Sequence, residues 1–248
     1  MEISKAKVSK YSLLNKKKYR DRDNLFMVQG LKAVVDTLEH FQLECLITKK
    51  GSPLCENSEW QGLPHYTASD SDLKKISSLE DLPEIIAIYK KPIIRADVKA
   101  SKDSFSIVLD GVQDPGNLGT IIRTAHWFGI KKIFCSLDCA DVYNPKVIQA
   151  TMGSVAKVSV IYCDIEKLFL DNYDIPVYGL LLNGENIFNI DKFTPGLILM
   201  GNEGHGPKEV SLKYITHRLT IPPANPADAP DSLNVGIATA ITLSQMLK

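Results

Sequence analysis

Three short loops carry the residues whose types and spacing could do chemistry. The first is Asp114-Pro115-Gly116-Asn117-Leu118-Gly119-Thr120-Ile121-Ile122-Arg123, which follows the apolar run 105–109. That run reads as a buried strand. Asn117 is a good helix N-cap, and the apolar positions Leu118, Ile121, Ile122, Ala125 and Phe128 define one face of a helix that stops at Gly129. Helical side chains lean toward the N-terminus, so Arg123 is expected to pass over Gly119 toward Asn117. A guanidinium and an amide would then meet at the mouth of a strand–loop–helix unit, where open α/β sheets bind ligands. Taken alone, this loop reads first as a capped helix with a solvated arginine.

The second loop, Gly201-Asn202-Glu203-Gly204-His205-Gly206, follows the apolar run 197–200. Gly201 and Gly206 have the spacing of a phosphate-binding loop. Pro207 and Lys208 stand where that motif needs Lys and Ser/Thr, and no G-x-G-x-x-G is present. A nucleoside held by backbone groups suits this loop better than a triphosphate, and a plain helix-entry turn is the alternative. His205 reads as a loop residue rather than a base.

The third loop runs from Ile221 through four prolines to Asp231, Ser232, Leu233 and Asn234. Ser232 is expected to cap the last helix. That helix is small and apolar nearly all round, so it is buried or packs against a partner. Asn234, near its start, needs a hydrogen-bond partner in the protein or in a ligand.

Alternating strands and helices must position these loops. From residue 105 onward the expected segments are 105–109, 118–128, 132–135, 146–152, 157–162, 165–171, 177–182, 197–200, 207–214, 218–221 and a last helix over 233–247. The strands are almost wholly apolar, which argues for a mostly parallel sheet covered on both faces. A smaller α/β unit precedes it, with strands at 25–28, 43–48 and 84–89. Its helices are expected at 31–41, with Val34, Val35 and Leu38 inward, and at 71–79. The charged stretch 95–103 reads as a linker. The expected domains are residues 1–98 and 104–248.

The 248 residues carry no net charge, so no bulk field announces a nucleic-acid partner. The neutral total hides a basic N-terminus, in which Lys16, Lys17, Lys18, Arg20 and Arg22 are the densest run. Such a run is either a solvated helix face or an RNA-binding arm, with Tyr11 and Tyr19 placed to stack on bases. Five cysteines, an odd number, lie mostly in apolar surroundings. Reduced thiols in a cytoplasmic protein are expected, with no metal site, no signal peptide and no membrane span.

The three loops, in this order, resemble a known family. N-L-G-T-I-I-R-T-A, L-M-G-N-E-G-H-G and S-L-N-V-G-I-A-T-A-I are similar to the three motifs of the SpoU (TrmH) RNA 2′-O-methyltransferases. Y-N-P-K-V-I-Q-A-T-M-G-S resembles the same family, while K-K-Y-R-D and L-F-M-V-Q-G resemble its N-terminal RNA substrate-binding domain. The resemblance implies an α/β fold of the SPOUT type with a C-terminal trefoil knot, a feature that pattern alone would not suggest. It also implies S-adenosylmethionine as cofactor, a homodimer formed through the catalytic domain, and an RNA substrate, with ribosomal RNA ahead of tRNA.

Carried over by motif, Arg123 matches the catalytic arginine, Asn117 and Glu203 the polar residues of the first two motifs, and Ser232 and Asn234 those of the third. Leu180, Gly201, Ile221 and Leu233 match cofactor-binding positions. Pro223, Gln149 and the pair His126-Trp127 depart from the family pattern without removing an expected catalytic group. A non-catalytic RNA-binding or ribosome-assembly protein that keeps the fold is the alternative, and loss of Arg123, Asn117 or Asn234 would have favoured it.

Overall fold

The structure is a computed structural model and describes residues 1–93 and 98–248. It divides into two compact units. The first joins Met1–Ile93 with Asp141–Ala156, and the second joins Ile94–Ala140 with Lys157–Lys248. Residues 141–156, which the sequence places with the catalytic half, thus pack within the first unit.

The first unit opens with α1 (Lys5–Ser12) and α2 (Lys17–Asp23). Ser4 caps α1 by accepting from the Lys7 amide, and Asn24 closes α2 in the left-handed region at φ 52°. Then come β1 (Leu25–Gln29), α3 (Leu31–Thr37), β2 (Leu43–Lys49), β3 (His65–Ala68), α4 (Asp70–Ile76) and β4 (Ile85–Lys90). The sheet order is β1-β4-β2-β3, with β4 antiparallel to both neighbours and β3 parallel to β2. Side chains alternate across a strand. Leu25 and Met27 join Val8, Tyr11, Leu14 and Ile88 in one core, whereas Phe26 packs with Phe41, Tyr89 and Tyr143.

Three expectations for this unit need correction. The first 22 residues are not an arm, because Ile3, Val8, Tyr11, Leu14 and Arg20 are buried. The helix expected over 31–41 ends at Thr37, and Val35 is 52% exposed rather than inward. Strand β3 escaped the sequence reading, since His65-Tyr66-Thr67-Ala68 shows no apolar alternation and owes its place to pairing with β2.

The second unit contains β5 (Ser106–Asp110), α5 (Pro115–Trp127) and β6 (Lys132–Cys135). The chain then passes through α6 (Pro145–Thr151) of the first unit. It continues with β7 (Ser159–Tyr162), α7 (Ile165–Asp171), β8 (Val177–Asn186), β9 (Leu197–Gly201), α8 (Glu209–Leu212), β10 (His217–Thr220) and α9 (Val235–Met246). Six strands lie in the order β10-β8-β9-β5-β6-β7, and every pairing is parallel. Strands covered on both faces must be apolar throughout, and Ile107, Val108, Leu109, Leu197, Ile198 and Leu199 are fully buried.

Part of the expected linker 95–103 lies outside the described residues. The rest is tied down: the Asn172 side chain accepts from the Ala100 amide at 2.9 Å and donates to the Val98 carbonyl at 3.1 Å. All five cysteines are free. Among the described residues no helix is long and apolar enough to cross a membrane.

Candidate active site

The three loops meet at the carboxyl ends of the central strands of the second unit. The loop after β5 does not use Asn117 as its cap. Asp114 is the N-cap, its Oδ1 accepting from the Asn117 amide at 2.8 Å, and Pro115 fills the first helical position. Proline suits that position because its fixed φ is helical and its missing N–H has no intrahelical role there. The helix therefore starts earlier than expected, and the Asn117 side chain is released for other work. Leu118, Ile121, Ile122 and Ala125 face the core as the spacing predicts. Arg123 is exposed and has no hydrogen-bond or ion-pair partner among the described residues. It does not bond to Asn117.

The loop after β9 closes on itself. Asn202 and Gly206 exchange backbone hydrogen bonds of 3.1 and 2.9 Å. A Cβ on Gly201 would sit 2.1 Å from the Pro207 nitrogen, and Gly206 holds φ at +70°. At these two positions the chain's own backbone demands glycine. Asn202 also donates from Nδ2 to the Gly111 carbonyl at 2.9 Å, which ties this loop to the end of β5.

In the third loop Ser232 is exposed and caps nothing. Asn234 is the cap of α9, its Oδ1 accepting from the amides of Gly236 and Ile237 at 2.9 and 3.3 Å. An asparagine satisfies two amides of the first turn where Ser232, two residues further out, reaches none.

These caps fix a chain of side chains across all three loops. Since Asn234 Oδ1 accepts from backbone, its Nδ2 must donate, and it does so to Asn117 Oδ1 at 2.8 Å. Asn117 Nδ2 then faces Glu203 and donates to its Oε1 at 2.6 Å. The amide orientations follow from donor and acceptor roles alone. Asn234, Asn117 and Glu203 are thus one hydrogen-bonded unit.

Beside it lies a cavity of about 430 Å³, within the range of small-molecule sites. Leu180, Gly201, Ile221 and Leu233 all line it, together with Glu203 and Ser232. Neither Arg123, Asn117 nor Asn234 lines it. Residues 180–183 reach the cavity because the pairing of β10 with β8 skips them: Arg218 lies opposite Gly179 and Leu219 opposite Glu185.

A family model for the SpoU rRNA methylase family matches residues 104–244, and one for an MRM3-like substrate-binding domain matches residues 5–87. The chain belongs to the SpoU rRNA methylase family. It is an RNA methyltransferase, and S-adenosylmethionine is the cofactor on which the family's methyl transfer depends. Among its relatives is the 23S rRNA (guanosine(2553)-2′-O)-methyltransferase RlmP of Bacillus subtilis, 28% identical over 95% of this chain and 93% of that protein. A candidate RNA methyltransferase of the TrmH family from Porphyromonas gingivalis superposes with a TM-score of 0.86 at 33% identity, covering 99% of this chain and 98% of that one. An S-adenosylmethionine-bound rRNA methyltransferase from Sinorhizobium meliloti gives 0.85 at 28% identity, over 99% and 96%.

The cavity of this SpoU chain fits such a cofactor. Leucine and isoleucine side chains supply apolar walls for a base and for the aliphatic carbons beside the sulfonium, and the glycine loop presents backbone groups.

The basic residues of the first unit separate into two kinds. Lys16, Lys17 and Lys18 are exposed. Arg22 is exposed too, pairs with Asp23 at 2.7 Å, and lies 4.9 Å from the Tyr19 ring centre. Arg20 is not a surface residue. It is 1% exposed, donates through Nε and Nη2 to Asp141 Oδ2 at 3.1 and 2.6 Å, and donates through Nη1 to the Leu14 carbonyl. Tyr11 is likewise buried and unable to stack on a base; burial pushes its phenol well above the usual range. Helix spacing explains both, since Tyr11 and Arg20 fall on the core side of α1 and α2.

Sequence reasoning missed Asp110, Asn202 and Lys208. Asp110 ends an apolar strand, and a lone carboxylate there is the one signal that could have found it.

Proposed function

We propose that this chain transfers a methyl group from S-adenosylmethionine to a ribose 2′-hydroxyl of structured RNA, with ribosomal RNA as the substrate class. The observation that carries this reading is the Asn234–Asn117–Glu203 unit at the rim of the cavity, with an unpartnered Arg123 further along α5 from Asn117. The names of relatives such as the Bacillus subtilis enzyme support the ribosomal and 2′-O parts.

When bound, the cofactor supplies an electrophilic methyl group on a sulfonium centre, so no metal is required. A ribose 2′-hydroxyl is a poor nucleophile that must lose its proton as it attacks, and it must be held in line with the methyl–sulfur bond. Arg123 brings a guanidinium cation with five N–H donors in a planar fork. It holds an RNA phosphate and stabilises the negative charge that builds on the 2′-oxygen as the proton passes to solvent. Asn117 sets the position of Glu203 rather than gripping the ribose, because its Oδ1 and an Nδ2 proton are already engaged. Leu180, Gly201, Ile221 and Leu233 hold the cofactor, with Ser232 at the cavity edge.

Residues 1–98 serve as the RNA-binding domain and 104–248 as the methyltransferase domain, with the C-terminal segment drawn into a trefoil knot. Lys16, Lys17, Lys18 and Arg22 contact the RNA backbone. Leu233 and Ile237, 44% and 52% exposed, support a homodimer through the catalytic domain. The working place of such an enzyme is the cytoplasm.

Mapping 2′-O-methyl sites on total RNA from cells with and without the gene tests the function. Loss of one ribosomal site supports it. Loss confined to tRNA replaces the substrate class, and an unchanged map overturns the reading.

A further inference from the structure

Asp110 is the most buried acidic side chain near the site, at 1% exposure. A carboxylate in that position is costly unless it is well satisfied. Its Oδ2 accepts from the Lys208 amide at 2.9 Å and from Ser211 Oγ at 2.7 Å. Its Oδ1 lies 3.3 Å from Lys208 Nζ. The same ammonium reaches Asp138 at 2.8 Å. Lys208 therefore joins the ends of β5 and β6 to the chain just after the glycine loop.

That loop is stiff. Its two ends are exchanged in backbone hydrogen bonds, and Asn202 is tied to Gly111 beside Asp110. A shift of Lys208 must then move residues 201–207 together, and with them Glu203 and one wall of the cavity. The Lys208 hydrogen bond holds Asp138 below the usual carboxylate range, and the same bond to Asp138 together with the nearby Asp110 carboxylate raises Lys208.

We propose that Asp110 and Lys208 are positioning residues for methyl transfer, a clamp that sets the 201–207 loop against the cofactor cavity and holds Glu203 at Asn117. The clamp rests on the function proposed above. It touches neither RNA nor cofactor.

The test compares Asp110→Asn, Asp138→Asn and Ser211→Ala in the full chain. S-adenosylmethionine affinity is read by calorimetry, with kcat and the KM for RNA alongside. Asp110→Asn keeps an oxygen for the Lys208 amide and Ser211 but removes the ion pair. It should weaken cofactor binding and lower kcat by about tenfold or more, since small misplacements of a site are that costly. The KM for RNA should stay unchanged. Asp138→Asn, at a half-exposed position, should give a smaller loss of the same kind. Ser211→Ala should lower the melting temperature and leave cofactor affinity alone.

Cofactor affinity and kcat at the wild-type level in Asp110→Asn would overturn the clamp. So would an equal loss of affinity in Ser211→Ala, which would mark the cluster as structural only. Failure of the wild-type chain to bind the cofactor sinks the proposed function instead.

Discussion

Asn117 donates to Glu203 at 2.6 Å, and this bond joins the first turn of α5 to the loop that follows β9. An amide is required there, because Asn117 must accept from Asn234 and donate to a carboxylate at the same time. Asn117→Asp keeps the shape and places two carboxyl groups in contact. Like charges at that distance force one group to keep its proton. Activity of the variant should survive at low pH and fall as pH rises and the shared proton is lost. The wild type should show no such limb. A methyl-transfer rate measured against pH decides the point, and parallel profiles would refute the coupling.

Arg123 lies outside the cavity lining and has no partner to lose. Arg123→Ala should therefore reduce methyl transfer by about 10²-fold or more, the scale for removing one electrostatic stabiliser. Cofactor affinity by calorimetry should stay within about twofold, since no contact to the cavity is removed. Turnover near the wild-type rate would remove the arginine from the mechanism.

The core of the parallel sheet was legible because β5, β9 and the first half of β8 are apolar runs, whereas the edge strand β10, His217-Arg218-Leu219-Thr220, is mostly polar. The loops after β5 and β9 were legible because motif residues of rare type sit directly after such runs. The caps were not. Asn117 and Ser232 are both good capping residues by type, yet Asp114 and Asn234 do the work. Which of several neighbouring polar side chains reaches the free amides depends on where the helix starts, and in α5 the proline at the first helical position, Pro115, sets that start. The same limit hid Arg20. Residue type places an arginine in a basic run on the surface, whereas its burial depends on Asp141, 121 positions away in sequence.

Arg20 and its neighbours should separate cleanly in experiment. Breaking a buried ion pair strands the other charge and costs about 3–5 kcal/mol. Arg20→Ala should therefore lower unfolding free energy on that scale, read by denaturant titration. It should leave the salt dependence of RNA binding unchanged wherever the variant is folded. Lys17→Ala with Lys18→Ala should do the reverse. Stability should hold, while the slope of log affinity against log salt falls by roughly 0.7–0.9 for each phosphate contact removed. Equal slopes for that double variant and the wild type would take the α2 face out of RNA binding.

Gly201 offers the most direct way to damage the cofactor site without touching a polar group. A Cβ there would lie 2.1 Å from the Pro207 nitrogen and 2.2 Å from the Gly206 carbonyl carbon. Both are backbone atoms, so no side-chain rotation relieves the clash, and the loop must open. Opening separates the Asn202–Gly206 bridge and draws Glu203 away from Asn117. Gly201→Ala should therefore lose both cofactor affinity and turnover by at least about tenfold, in line with the cost of misplacing a site. Gly204 is the control, because a Cβ there meets only Asn202 Oδ1 at 3.6 Å. Gly204→Ala should bind cofactor nearly as well as the wild type. If the two variants bind S-adenosylmethionine equally, the tightness of the loop has no part in holding it.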